Sequence, residues 1–144
     1  MIVCVDASLI LKCLLYEDGT DAALDWLDAH LDDELVAPSS FMAEVASVLR
    51  RKVSQGEISP EDGHEAFMAA EALGVRLAWD FDLVQKAFDM ADELGQSTIY
   101  DTLYLAVAQR NQCELWTADE RFAAAASGRY PFVKLLRVTP SAQT

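Results

Sequence analysis

Short apolar segments alternate with longer amphipathic segments along almost the whole chain. The short segments have the length of single strands and cover residues 2–5, 34–37, 75–79, 114–117 and 133–138. Between them, apolar residues recur at helical spacing, as Leu9, Ile10 and Cys13 do in the first such segment. This alternation predicts an α/β fold in three layers, with helices on both faces of a mainly parallel sheet of about five short strands.

The helices are bounded by residues that favour helix starts and ends. Ser59 and Pro60, followed by two acidic residues, indicate a helix start. Gly19, Gly74 and Gly95 indicate breaks or ends. The predicted helices cover residues 7–15, 20–31, 40–55, 60–74, 80–94, 99–111 and 119–126.

The composition is that of an ordinary globular protein. The chain has 144 residues, of which 52% are hydrophobic and 24% are charged, which suits one domain with a real core. We predict a single domain over residues 1–139 and a polar C-terminal tail over 140–144. No apolar run reaches the length of a membrane span, and the N-terminus lacks the features of a signal peptide. A cytoplasmic location is therefore predicted.

The cysteines argue against a zinc site. Cys4, Cys13 and Cys113 are odd in number, form no CxxC pair and stand among apolar residues. We expect buried, reduced thiols.

The net charge of −13 restricts the choice of ligand. Asp and Glu outnumber Lys and Arg by 24 to 11, whereas nucleic-acid-binding proteins usually carry a basic surface. Two explanations remain open at this point. Either the substrate is not a polyanion, or metal ions and a local basic patch overcome the acidic surface.

Four acidic residues stand where a strand gives way to a helix or where a helix begins. They are Asp6, Glu44, Asp101 and Asp119. In a parallel sheet such junctions lie at one edge, so the four side chains can meet there. Each acid also has a simpler interpretation as a helix cap or as a charge favoured by the helix dipole. Thr98 with Asp101, and Thr117 with Glu120, have the spacing of capping boxes.

The helical positions of two of these acids favour a metal site over capping. Asp101 shares its helix face with Tyr104, and Glu44 shares its face with Phe41, so both point toward the core side. No Lys or Arg within one turn can pair with either acid. Because unpaired buried charges are costly and carboxylates repel each other, a hard cation such as Mg²⁺ or Mn²⁺ is the expected partner.

The ordered motifs resemble those of PIN-domain ribonucleases of the VapC toxin group. The motifs are ValAspAlaSer from residue 5, GluVal-x-x-ValLeuArgArg from residue 44, TyrAsp-x-LeuTyrLeuAlaVal-Ala from residue 100 and LeuTrpThrAlaAsp-x-x-Phe from residue 115. The resemblance extends over about residues 2–137. It implies that Asp6, Glu44, Asp101 and Asp119 form a metal-binding catalytic quartet, with the hydroxyls of Ser8 and Thr117 beside it.

The same resemblance implies function and partners. The family hydrolyses RNA with one or two divalent cations, and its toxins are held inactive by a small antitoxin whose basic C-terminal segment lies in the acidic groove. A homodimer is usual. For RNA contact, Lys12 and Arg50 are the candidates, because each follows one of the acids along a helix. A solvated helix end is an equally good explanation of Arg50 and its basic neighbours.

Three other protein classes remain as alternatives. A phosphatase of the haloacid-dehalogenase type needs a second Asp two residues after the first, where this chain has Ser8. Response regulators need an acidic pair before the phosphorylated Asp, which is not evident here. A PIN-like protein that binds RNA or a protein partner without cleaving RNA is the stronger alternative.

Overall fold

The computed structural model describes residues 1–138, so residue 139 and the predicted tail over 140–144 lie outside the described residues. Five parallel strands form one sheet in the order β3-β2-β1-β4-β5. They are β1 (Ile2–Val5), β2 (Glu34–Pro38), β3 (Arg76–Ala78), β4 (Leu115–Thr117) and β5 (Val133–Leu135). The predicted fold class is confirmed. The last strand ends at Leu135 rather than at Val138, although the Leu136 N–H still donates to the Thr117 carbonyl at 2.8 Å.

Seven helices connect and follow these strands. They are α1 (Ala7–Leu14), α2 (Thr20–Ala29), α3 (Phe41–Ser54), α4 (Pro60–Ala72), α5 (Phe81–Leu94), α6 (Tyr100–Arg110) and α7 (Glu120–Ala126). Helix α1 contacts α2, α3 and α4, whereas α6 packs on α5 and on the central strands. Because crossovers between parallel strands are right-handed, α1–α4 cover one face of the sheet and α5–α7 cover the other.

The core forms where these layers meet the central strands. Leu9 of α1, Val36 of β2 and Leu105 of α6 have no exposed surface. The burial of each aliphatic side chain of this size contributes about 1.5–3 kcal/mol to the stability of the folded state. Helices α3 and α4 approach so closely that a Cβ atom added to Gly63 would lie 2.7 Å from a Val53 methyl group. This packing therefore fixes α3, the helix that carries Glu44.

The order of the strands creates a cleft at one edge of the sheet. The chain builds outward from β1 through β2 to β3, and then crosses to the other side of β1 to form β4 and β5. The carboxyl ends of β1 and β4 thus flank the point where the direction of winding reverses, which is where open α/β sheets bind ligands.

Two further sequence predictions concern the cysteines and the membrane. All three cysteines are free, as predicted, but only Cys4 is fully buried, while Cys13 and Cys113 are half-buried. Within residues 1–138, no helix combines the length and apolarity that crossing a membrane requires.

Candidate active site

Asp6 lies at the carboxyl end of β1 and its carboxylate is buried. Its Oδ1 accepts the Ser8 N–H at 3.4 Å, which caps α1. Its Oδ2 accepts the hydroxyls of Ser8 at 3.1 Å and Thr117 at 2.6 Å. Burial raises the pKa of Asp6, the hydrogen bonds from Thr117 and Ser8 oppose that rise, and the charge of Asp119 adds to it. The result is a carboxylate of fixed orientation.

The Ser8 and Thr117 hydroxyls are themselves oriented by backbone amides of the β4–α7 turn. Ser8 Oγ accepts the Ala118 N–H at 3.1 Å, and Thr117 Oγ1 accepts the Asp119 N–H at 3.0 Å. Because these bonds do not use the hydroxyl protons, both hydroxyls can donate to Asp6, and their oxygens also lie 3.2 Å from each other. The two residues that the family resemblance placed beside the acids do contact Asp6.

Asp119 is the N-cap of α7, because its Oδ1 accepts the Phe122 N–H at 3.1 Å. The Thr117 hydroxyl, which contacts both Asp6 and the Asp119 backbone, links these two acids.

Glu44 lies in the first turn of α3 and is half-buried. Its Oε2 accepts the Tyr104 hydroxyl at 2.5 Å, and its Oε1 accepts the Ser40 hydroxyl at 3.3 Å. Burial is the main cause that raises the pKa of Glu44. The charges of Asp6 and Asp101 raise the pKa further, while the two hydroxyls lower it.

Asp101 lies in the first turn of α6 and is also half-buried. Burial, followed by the negative charges of Asp6 and Asp119, raises its pKa to about 6. Since the charge of Asp6 raises the pKa of both Glu44 and Asp101, the four acids share one electrostatic neighbourhood at the carboxyl edge of the sheet.

The capping interpretation explains two of the acids and fails for the other two. Asp6 and Asp119 cap α1 and α7. Helix α6, however, begins after Ile99 with no side-chain cap, so the predicted capping box of Thr98 and Asp101 does not form. Likewise, α3 has Ser40 at its N-cap position with no side-chain cap bond, and Glu44 bonds to hydroxyls instead. Capping gives no reason for the half-buried charges of Glu44 and Asp101.

The donor set at this edge suits a hard divalent cation. It consists of carboxylate and hydroxyl oxygens, which Mg²⁺ and Mn²⁺ prefer. Among residues 1–138, no Lys or Arg nitrogen lies within ion-pairing distance of the four acids. In that part of the chain, however, no three His, Cys, Asp or Glu side chains are close enough to form a ready ligand set.

The two predicted RNA-contact residues lie outside this cluster. The Lys12 ammonium donates to the Asp18 carbonyl at 3.0 Å and lies 3.7 Å from a Glu17 carboxylate oxygen, so it serves the α1–α2 turn. Arg50 is exposed and lines a groove of about 400 Å³ between α3 and α4, together with His64 and Phe67. Of the two, Arg50 is the more available to a ligand.

Sequence analysis missed two contributors to the site. The ring of Tyr104 is buried in the core, which excludes stacking on a base. Its hydroxyl nevertheless reaches Glu44. The Ser40 hydroxyl also donates to Glu44, at 3.3 Å. The available signal for Tyr104 was its position one turn after Asp101 on the same helix face.

Comparisons with known proteins agree with this architecture. The chain is 28% identical over 135 residues to Ribonuclease VapC9 of Mycobacterium tuberculosis, covering 94% of this chain and 99% of that protein. It superposes with a TM-score of 0.67 on M. tuberculosis VapC20, a sarcin–ricin loop cleaving toxin, at 20% identity over 86% of this chain and 95% of that chain. A toxin–antitoxin complex from Klebsiella pneumoniae gives a TM-score of 0.67 at 15% identity, over 95% of this chain and 99% of that chain.

A sequence profile of the PIN domain matches residues 3–128, which is most of the chain. The strand order, the four acids at the carboxyl edge and this match lead to the same conclusion: the chain belongs to the PIN-domain family.

Proposed function

We propose that this protein is a divalent-metal-dependent endoribonuclease that hydrolyses RNA phosphodiester bonds. The observation that carries the proposal is the grouping of Asp6, Glu44, Asp101 and Asp119, from four distant segments, around the carboxyl ends of β1 and β4. The ribonuclease names of its sequence relatives support the same activity.

The four acids would hold Mg²⁺ or Mn²⁺, with Asp6 and Asp101 as the primary ligands and Glu44 and Asp119 as further ligands or water-orienting groups. Such a cation supplies Lewis-acid stabilisation of the charge that develops on the phosphate and lowers the pKa of water. In the hydrolysis, the water oxygen would bond to phosphorus and give up a proton, the bond to the departing 3′ oxygen would break, and that oxygen would take up a proton.

The protein's own residues contribute orientation and charge. Asp6 is held rigidly by the Thr117 and Ser8 hydroxyls, which would prevent it from turning away from its ligand. Asp101 has a pKa of about 6, so at neutral pH it is mostly ionised and competent to bind a cation. The repulsion among the carboxylates is a cost that a bound cation offsets.

Cleavage of RNA in the presence and absence of a chelator tests the proposal directly. Purified protein should cleave structured RNA with Mg²⁺ or Mn²⁺ and should stop when EDTA is in excess. Binding of RNA without cleavage under all metal conditions would instead identify a non-catalytic PIN domain. Mapping of the cut sites on total cellular RNA would then define the target.

We further propose that the protein is the toxin of a toxin–antitoxin pair and acts in the cytoplasm. Support comes from the structural relatives, which include a toxin and a toxin–antitoxin complex. The net charge of −13 favours a basic partner segment, such as the C-terminal part of a small antitoxin. Induced expression should arrest bacterial growth, and coexpression of a small basic-tailed protein encoded by a neighbouring gene should restore growth.

A homodimer is the proposed assembly, because it is usual for the toxin group. Light scattering coupled to size exclusion should give twice the chain mass of 15.9 kDa. A monomeric mass at micromolar concentration would contradict the proposed assembly without affecting the proposed chemistry.

A further inference from the structure

Tyr104 places a hydroxyl group in the candidate site that the proposed chemistry does not use. Its side chain is 1% exposed, so the ring is fixed by the core. The hydroxyl donates to Glu44 Oε2 at 2.5 Å, a short bond between residues that lie 60 positions apart in the chain. A buried hydroxyl with a charged acceptor makes one of the stronger kinds of hydrogen bond in proteins.

This hydrogen bond joins the two helical layers at the end of the sheet. Glu44 is on α3 in one layer, and Tyr104 is on α6 in the other. Asp101 lies on α6 one turn before Tyr104, so both side chains project from the same helix face. The placement of Glu44 is thereby tied to the helix that carries Asp101.

We propose that Tyr104 is a positioning residue, which holds the Glu44 carboxylate in the orientation in which it binds a divalent cation. This inference rests on the proposed function. A glutamate side chain has several rotatable bonds, and a rigid donor removes much of that freedom before the ligand arrives. The Ser40 hydroxyl, at 3.3 Å from Oε1, is a second and weaker donor to the same carboxylate.

An ordinary tyrosine phenol loses its proton only at about pH 10, well above physiological pH. The Tyr104 hydroxyl is therefore the donor in this pair, and the ionised Glu44 carboxylate is the acceptor.

Tyr104→Phe removes the hydroxyl and keeps the ring that fills the core. Mn²⁺ affinity, measured by calorimetry without RNA, should fall roughly 10–100-fold, as it does when outer partners of metal ligands are removed. RNA cleavage, measured separately, should fall with it. Tyr130→Phe is the matched control, because its hydroxyl also donates to a glutamate, Glu93, at 2.9 Å but away from the acids. That control should leave Mn²⁺ affinity unchanged.

A double-mutant cycle separates positioning from a general structural role. If Tyr104 acts through Glu44, Tyr104→Phe should have no further effect on Mn²⁺ affinity in a Glu44→Ala background. A merely structural role for Tyr104 predicts the same loss in both backgrounds, and that additive result would overturn the inference.

Other outcomes are equally decisive. Suppose that the wild type binds Mn²⁺ and that Tyr104→Phe weakens this binding as expected, but that no RNA is cleaved. This result would contradict the proposed ribonuclease activity and would support the positioning role. Full Mn²⁺ affinity in a folded Tyr104→Phe variant would contradict only the positioning role. A wild type that binds no Mn²⁺ would contradict both the positioning role and the proposed metal-dependent ribonuclease. Should Tyr104→Phe fail to fold, Ser40→Ala at the half-buried helix start takes its place. Unchanged affinity there would overturn the claim that hydroxyl donors set the orientation of Glu44.

Discussion

The Thr117 hydroxyl donates to the Asp6 carboxylate at 2.6 Å and joins two residues that are 111 positions apart in the chain. Asp6 follows β1 and Thr117 ends β4, so the hydrogen bond connects the carboxyl ends of these two strands at the point where the winding of the sheet reverses. Because the Thr117 hydroxyl also accepts the Asp119 N–H, this one side chain fixes both the Asp6 carboxylate and the Asp119 backbone.

Thr117→Val should therefore destabilise the fold as well as the site. The substitution keeps the side-chain shape but leaves a buried carboxylate and a backbone amide each without one partner. We expect the free energy of unfolding to fall by about 1–3 kcal/mol. Urea denaturation followed by circular dichroism measures this change. Thr117→Ser, which keeps the hydroxyl, should retain more of the stability, and equal losses in the two variants would contradict the assigned hydrogen bonds.

Asp101→Asn should abolish metal-dependent RNA cleavage while preserving the fold. The loss should exceed about 100-fold, since outer partners of metal ligands alone account for roughly 10–100-fold. Without metal, the variant should melt at a higher temperature than the wild type, because one repulsive charge has been removed. Asp89→Asn, at an exposed position of α5, is the control and should change neither property. Undiminished turnover in Asp101→Asn would remove Asp101 from the proposed ligand set.

The metal-free protein should lose stability as the pH rises through the acidic range. The pKa of Asp101 is about 6 in the folded chain against an ordinary value of 3.8, so the folded state binds the proton more tightly. Its contribution to stability is therefore present below pH 3.8 and is lost as the pH approaches and passes 6. Unfolding free energies measured in EDTA across this range should show the decline, and Asp101→Asn should flatten it. An equally steep decline in the variant would assign the effect to other groups.

Cation affinity should have the opposite pH dependence. A carboxylate must lose its proton to bind a metal ion, so Mn²⁺ affinity should increase as the pH rises through about 6. Calorimetric titrations at several pH values check this expectation. Affinity that is flat between pH 5 and pH 7 would argue against Asp101 as a ligand.

RNA affinity should fall with increasing salt, and the basic side chains should contribute unequally. Removing one phosphate contact reduces the slope of log affinity against log salt by about 0.7 for single-stranded RNA. We expect this reduction for Arg50→Gln, whereas Lys12→Gln should have little effect because Lys12 already bonds within the α1–α2 turn. Binding assays with the catalytically inactive Asp101→Asn protein avoid cleavage during the measurement. Salt-independent binding would exclude both residues from phosphate contact.

The fold was predictable from sequence because its signals are local. Strand-length apolar runs, glycine at Gly95 and the Ser59–Pro60 helix start each act within a few residues, and the structure contains the corresponding elements. The strand ends were less certain. Beyond Leu135 the chain keeps one backbone hydrogen bond to β4 but is no longer part of β5. The sequence of residues 136–138 does not distinguish a continued strand from this irregular segment.

The site was predictable only in part, because its contacts are long-range. The acids could be found from their positions at strand and helix ends, which share one edge of a parallel sheet. The contact between Tyr104 and Glu44 could not be found in this way, since the two residues are 60 positions apart and the apolar ring of Tyr104 accounts for its place on a buried helix face. The sequence predicted a cation partner for Glu44 but did not indicate the two hydroxyls that contact this residue.

The division of the acids between the two helical layers also affects how the protein could first become active during synthesis. Asp6 and Glu44 precede β3, whereas Asp101 and Asp119 follow it. A ribosome must therefore translate beyond β4 before all four carboxylates exist in one molecule, and a fragment cut near β3 would carry only two. The proposed active site is therefore complete only after most of the chain has been translated.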